Sequence, residues 1–379
     1  MAALLVAAAC ATASSAKQRP DYLFVWASDT DKAQSDFLAV LDAGTGRVIS
    51  TAPTGTKGSA AHHTEHFMPK GGRLFANGFG AGRTWIFDLR NPTKPTVAGD
   101  FGDTATLMHA HSFERLPNGN VLATYQMGDH RNDSPGGLAE IAPDGRILRT
   151  SSAADPAAKT FIRAYSLAVV PKLDRVVTTT SDMHSKGVAE TIQIWRLSDL
   201  KLLLTLPLPP GPRGKEQQDS AEPRLLPDGR TVMVNTFNCG LYRLTGLETV
   251  SPRAQFVHDF GTGECALPVL SGRYWVQTDT GLPGLVSLDL SDPSSPRVVD
   301  RLKLAEGEEP HWISIAPDGR RIVISSGRNA LKSKVMLATI DQRTGKLVLE
   351  RKFVVDFDRA TWPHGDSGPA IPHGAVFSR

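Results

Sequence analysis

Long hydrophobic runs are missing from this chain of 379 residues. Beyond its first residues, no apolar stretch approaches the ~20 residues that a helix needs to cross a bilayer. An excess of one charge is missing too. Lys and Arg number 42 against 39 Asp and Glu, and no basic run occurs, which argues against a nucleic-acid partner. The periodicity of long helices is absent, so helical bundles and coiled coils are excluded. Cysteine is scarce, at three residues. One of them, Cys10, lies in the N-terminal segment, leaving Cys239 and Cys265. An oxidising compartment permits a bridge between two cysteines without establishing it.

The N-terminus reads differently from the rest. Met1 to Ala16 is apolar and then small, and Ser14-Ser15-Ala16 fits a small-x-small cleavage site. Residues 1–16 are therefore expected to be an export signal, and the protein periplasmic or secreted. The segment lacks a positively charged start. A lipoprotein attached through Cys10 and a cytosolic tail are the alternatives.

What is abundant is punctuation: 34 Gly and 26 Pro. Between them lie short β-branched and aromatic runs, which predict all-β structure. One phrase recurs, made of a polar or aromatic residue, an alternating strand, a P-x-G-like turn and a second strand. It begins at His111 (HSFERLPNGNVLATY), Tyr165 (YSLAVVPKLDRVVTTT), Ala221 (AEPRLLPDGRTVMVNT), Glu264 (ECALPVLSGRYWVQT) and His311 (HWISIAPDGRRIVISS), with a looser copy at His63. Two further strands follow each copy. Four strands per period of roughly 40–60 residues describe a propeller blade, which must stack on neighbours to bury its faces.

Six copies are complete and the seventh is split. Residues 21–55 supply three strands, and the C-terminal HGAVFS supplies one. The expectation is a single seven-bladed β-propeller over residues 21–379, closed by pairing the C-terminal strand with the N-terminal ones. Two β-sandwich domains joined at the Pro/Gly stretch from Pro207 to Arg213 are the alternative.

Innermost strands of a propeller line its channel. Counting six residues back from each turn proline, and matching Glu264 and His373 by turn and strand start, gives a column: His63, His111, Tyr165, Ala221, Glu264, His311 and His373. Four of its seven members are histidine, though the whole chain has only 11. Imidazole nitrogens suit copper, iron, nickel or zinc, whereas calcium wants oxygen, and no Asp/Asn cluster occurs here. His63, His111, His311 and His373 are the expected metal ligands, and a one-sided set leaves a coordination position open. A lone buried histidine is more often a hydrogen-bonded core residue, so the reading rests on the set.

Glu264 and Tyr165, opposite the imidazoles, are the candidate catalytic side chains. Glu264 reads as a ligand, an acceptor orienting an imidazole, a general base or a satisfied channel carboxylate; Tyr165 reads as packing or a hydrogen-bond donor. By strand alternation, His62 and His66 should point away from His63 or lie deeper. His109, Asp129-His130 and Met183-His184 fall on rim loops. Cys239 and Cys265 fall near the same face, as a disulfide, a pocket thiol or, for Cys265, a metal ligand.

These motifs resemble a known family, the selenium-binding proteins and methanethiol oxidases. His62-His63 behind DFLAVLDAGTGRVISTAPTG is similar to that family's paired histidines. HSFERLPNGNVLAT at His111 resembles its next histidine motif, and VMLATIDQRTGKLVLERKFVVDF with Pro372-His373-Gly374 resembles its closing segment. The resemblance implies a seven-bladed propeller holding copper through His63, His111 and His373, and a periplasmic oxidase of a small sulfur compound. The family's cysteine-rich stretch after the paired histidines is absent, so selenium binding is not implied. A propeller lactonase using a divalent ion and a non-catalytic interaction propeller are the other two readings.

Overall fold

The computed structural model describes residues 21–129, 131, 134–158, 160–184, 187–326, 332–365 and 368–379. The expected export signal at 1–16, Cys10 and His130 lie outside these residues. The described chain forms seven four-stranded antiparallel sheets and contains no α-helix.

The strands run in chain order. β1 (Tyr22–Asp29), β2 (Phe37–Asp42) and β3 (Val48–Pro53) open the chain. The next blades are β4 (Ala61–Thr64), β5 (Arg73–Gly78), β6 (Arg83–Asp88) and β7 (Thr96–Phe101), then β8 (Met108–Arg115), β9 (Val121–Met127), β10 (Pro135–Ile141) and β11 (Ile147–Ser152). They are followed by β12 (Ala164–Val170), β13 (Arg175–Thr180), β14 (Thr191–Arg196) and β15 (Leu202–Pro207), then β16 (Ser220–Leu225), β17 (Val232–Thr236), β18 (Gly240–Thr245) and β19 (Arg253–Asp259). The last blades are β20 (Pro268–Ser271), β21 (Tyr274–Asp279), β22 (Gly284–Asp289) and β23 (Arg297–Lys303), then β24 (Pro310–Ile315), β25 (Arg321–Ser326), β26 (Lys334–Ile340) and β27 (Leu347–Asp356). β28 (Ala370–Phe377) returns to pair with β1, giving the sheet order β28-β1-β2-β3.

This is the seven-bladed propeller the repeat predicts, with the split blade closed as expected. The two-sandwich alternative does not form, and the 207–213 stretch connects β15 to β16. The sequence pattern explains the layering. Inner strands such as VLATYQM and YLFVWASD are apolar on both faces because blades pack on either side of them. Outermost strands alternate instead, as in ILRTSS and TVAGDF, with one face in solvent.

The innermost strands carry a device that decides the site. Pairing with the second strand slips by one residue between Ala61 and Thr64, Ala110 and Phe113, Ala164 and Leu167, Ser220 and Pro223, and Pro310 and Trp312. β28 slips against β1 at the equivalent place. A bulge places two residues of one strand against one of its partner. The repeated slip therefore turns two consecutive residues per blade towards the axis.

A polar side chain on the second strand secures several of these bulges. Asn77 Oδ1 accepts the His63 N–H at 2.6 Å, and Asn77 Nδ2 donates to the Ala110 and His111 carbonyls of the next blade. Thr124 accepts from Ser112 N and donates to the Tyr165 carbonyl. Thr179 accepts from Ser166 N and donates to Ala221; Asn235 accepts from Glu222 N and donates to Cys265 and Ala266. Ser325 donates to the His373 carbonyl. These bonds satisfy backbone groups that the bulges free, so neighbouring blades are locked together at the channel wall.

Candidate metal centre

The bulges build the channel in layers. The first bulge residues are His62, His111, Tyr165, Ala221, His311 and His373. The second are His63, Ser112, Ser166, Glu222, Trp312 and Gly374. His62, not His63, is thus in register with His111. One extra residue between Thr64 and Pro69 shifts the count back from the turn. The expectation that alternation turns His62 away from His63 fails because of the bulge in β4: both face the axis.

The imidazoles converge. His62 and His63 stack with centroids 4.4 Å apart, and His63 lies 4.3 Å from His111. His373 stacks on His62 at 4.2 Å and lies 5.6 Å from His63. His311 follows at 4.9 Å from His373. Ligand nitrogens of His62, His63 and His111 all lie within 4.8 Å of one another, and all three side chains are buried. His311, partly exposed and on the far side of His373, stands outside this tight triplet.

Second partners fix the rings. His111 Nδ1 donates to the Tyr165 carbonyl at 2.8 Å, with Ser112 Oγ at 3.1 Å. His63 Nδ1 sits 2.9 Å from the same Ser112 Oγ. The Nε2 atoms of His63 and His111 are buried without a hydrogen-bond partner. Burial lowers His111 to about 4, against the opposing pull of Glu222. Burial first, and then His111, His373, His66 and His311, hold His63 well below its ordinary range. Both rings are therefore neutral at neutral pH. An orphaned, neutral, buried imidazole nitrogen is costly in an apolar setting, and a coordinated metal would supply the missing partner. The donor set fits a transition metal.

Over this cluster lies a cleft of roughly 230 Å³, bordered by His62, Tyr165, Met183, Phe237, Glu264, His311 and His373 among others. Tyr165 is buried, and burial together with Glu222 and Glu264 keeps its phenol protonated well past the usual range. Glu264 sits at the mouth, its side chain 48% exposed and 3.9 Å from His311 Nδ1. Partial desolvation and the Glu309 carboxylate raise it above its ordinary value. Glu264 does not belong to the axial column. The Asn235 bridge puts Ala266 in the place that His111 holds, because β20 closes onto β21 through the two-residue turn Gly272-Arg273.

The other expected residues divide. Cys239 and Cys265 form a disulfide with Cα atoms 5.0 Å apart, so the pocket-thiol reading and metal ligation by Cys265 fall away. His109 takes a left-handed backbone, and its ring meets Phe79 and His184 at the rim. Phe79 separates that pair from His62 and His111. His66 lies lower in the channel, stacked on Trp312 at 4.9 Å, with Nε2 at 3.7 Å from Glu222 Oε2 and 3.3 Å from Arg224.

Glu222, Ser112 and Ser166 do not stand out in the sequence. Glu222 is fully buried and takes hydrogen bonds from Ser166 at 2.7 Å and Arg224 at 2.8 Å. Burial opposes its ionisation, but Arg224, His66 and Ser166 outweigh it and hold the carboxyl at about 2. A fixed negative charge thus sits in the same channel layer as His63, below His62 and His111. A charged residue inside a blade phrase was the available signal, since buried Glu persists only when paired.

No protein-family model and no curated protein matches the chain. Among solved structures it is similar to a hypothetical selenium-binding protein from Sulfolobus tokodaii, with a TM-score of 0.77 at 16% identity over 96% of this chain and 94% of that one. It is also similar to the periplasmic gluconolactonase of Pseudomonas aeruginosa, with a TM-score of 0.68 at 16% identity over 94% of this chain and 99% of that one. Fold and site together define a seven-bladed propeller with an axial imidazole cluster. At these identities the likeness speaks for the fold.

Proposed function

We propose that the channel holds one copper ion and that the protein oxidises a small molecule, as methanethiol oxidase does. The observation behind this reading is the pair of buried, unpartnered Nε2 atoms on His63 and His111, with His62 beside them. His62, His63 and His111 would hold the ion, with His373 completing the group and His311 at the open side. Iron or zinc would fit the same nitrogens; copper is preferred for the family resemblance. Copper, when bound, supplies electron transfer between a small reductant and O₂.

The protein's own residues do the rest. Ser112 and the Tyr165 carbonyl fix the ring orientations of His63 and His111. Phe237 and Met183 give the cleft an apolar wall suited to a small thiol or similar reductant. The Tyr165 hydroxyl, held protonated, can donate a hydrogen bond to a bound substrate, and Glu264 at the mouth can take up a released proton. The disulfide accords with an oxidising compartment, and with export to the periplasm or outside the cell.

A second reading is a metal-dependent lactonase, favoured by the likeness to the gluconolactonase and by Glu264 and Glu309 at the cleft. Against it, the buried donors are nitrogens. The test is to load purified protein with copper or calcium and follow O₂ uptake with methanethiol and hydrolysis of gluconolactone. Copper-dependent O₂ uptake supports the oxidase. Calcium-stimulated lactone hydrolysis without O₂ uptake moves the assignment to the lactonase.

A further inference from the structure

A separate cavity of roughly 230 Å³, bordered by His66, lies on the side of the hairpin turns. Its walls are apolar, formed by Leu167, Val169, Leu225 and Ile315 among others, and Phe67 stands at its edge 58% exposed. Four polar side chains also line it: His66, Glu114, Arg224 and Ser314, whose hydroxyl donates to the Ala375 carbonyl.

The charges in and around this cavity do not balance. Arg224 is committed, donating to Glu222 at 2.8 Å and to the Pro223 and Pro268 carbonyls. Glu65 is paired with Arg115 at 2.7 Å. His66 is held neutral by burial and by Arg224, against the pull of Glu222. What remains is Glu114. No hydrogen bond or ion pair among the described residues reaches its carboxyl, although it is only partly exposed. Burial raises Glu114 to about 7; Arg224 pulls the other way, and Glu65 and Glu222 add to the rise.

We infer that this lower cavity is a second binding site, for a small organic ammonium with an apolar body. The ammonium group would meet Glu114, the apolar walls would take the alkyl or aryl part, and Phe67 would lie against the cation. An anion is disfavoured because the guanidinium of Arg224 already has its acceptors. A divalent metal ion is disfavoured because a single uncommitted carboxylate among apolar side chains cannot supply its oxygen shell. The site is independent of the metal reading, and shares no proposed ligand with it.

Calorimetric titration of the full chain with butylammonium chloride at pH 8 tests the inference. Butyrate and 1-butanol serve as equal-sized probes of opposite or no charge. The expected result is saturable one-to-one binding of butylammonium, at least about tenfold tighter than either control and weakened at least about tenfold in Glu114→Gln. Equal binding of all three probes, tighter binding of butyrate, or no saturable binding would overturn it. The comparison among probes needs only wild-type protein, so it stands even if the variant folds poorly. Metal content, measured alongside, should not change in Glu114→Gln.

Discussion

His62 and His63 are neighbours in sequence, yet their rings lie face to face, 8° from parallel with centroids 4.4 Å apart. A regular strand would send them to opposite faces. The bulge in β4 brings both to the axis, and Asn77 holds it in place.

Asn77→Ala should therefore strike fold and site together. It would leave the His63 N–H and the Ala110 and His111 carbonyls without their side-chain partner, at about 1–3 kcal/mol for a buried group. A loss of at least about 2 kcal/mol is expected in urea unfolding. Metal affinity should fall with it.

Ser112→Ala separates the two effects. Its hydroxyl touches Nδ1 of both His63 and His111. Removal should leave the blades intact but free the rings to turn, with metal affinity falling roughly 10–100-fold in a competition titration. Unchanged affinity would mean that packing and the His111–Tyr165 hydrogen bond hold the rings without the hydroxyl.

The Cys239–Cys265 bridge ties the β17–β18 turn to the entry of β20, across a sequence separation of 26 residues. In the chain-entropy account a loop of that size stabilises by about 3.5 kcal/mol. Cys239→Ser/Cys265→Ser should lose stability of that order and approach the reduced wild-type protein. Equal midpoints for oxidised and reduced protein would contradict this.

Metal-free protein should show a pH dependence traceable to His111. Its folded value of about 4 lies below its ordinary 6.5. Between these values the unfolded chain takes up a proton that the folded chain refuses, so stability falls as pH drops from 6.5 towards 4. The slope from one group is at most about 1.4 kcal/mol per pH unit. Glu114, raised to about 7, works in the opposite sense as pH falls from 7 towards its unfolded value. Comparison with His111→Gln isolates the histidine: the variant should lose less stability than wild type between pH 6.5 and 4. Parallel curves would contradict the prediction.

The blade repeat was legible because turn chemistry is local: P-x-G turns and alternating strands announce themselves within some fifteen residues. The axial histidines could be gathered for the same reason, each standing at a fixed offset from a turn. What defeated the register was also local. The extra residue before Pro69 put His63 where His62 belongs, and the short turn after β20 moved Glu264 out of the column.

The bulges were harder to see, since a bulge shows only in pairing. A trace of them was present, however. Asn77, Thr124, Thr179, Asn235 and Ser325 each interrupt a buried apolar strand at the same place, and a buried polar residue in such a strand needs a partner. Following that column would have exposed the second channel layer, with Ser112, Ser166 and Glu222 in it.

The central claim is that imidazoles from separate blades share one ion. X-ray absorption at the copper edge, on protein loaded with one equivalent and freed of loosely bound metal, tests it most directly. The account predicts one retained copper with three or more nitrogen neighbours at ~2 Å and imidazole multiple scattering, lost in His63→Ala/His111→Ala. Copper absent from wild type, or retained equally by the double variant, would contradict it.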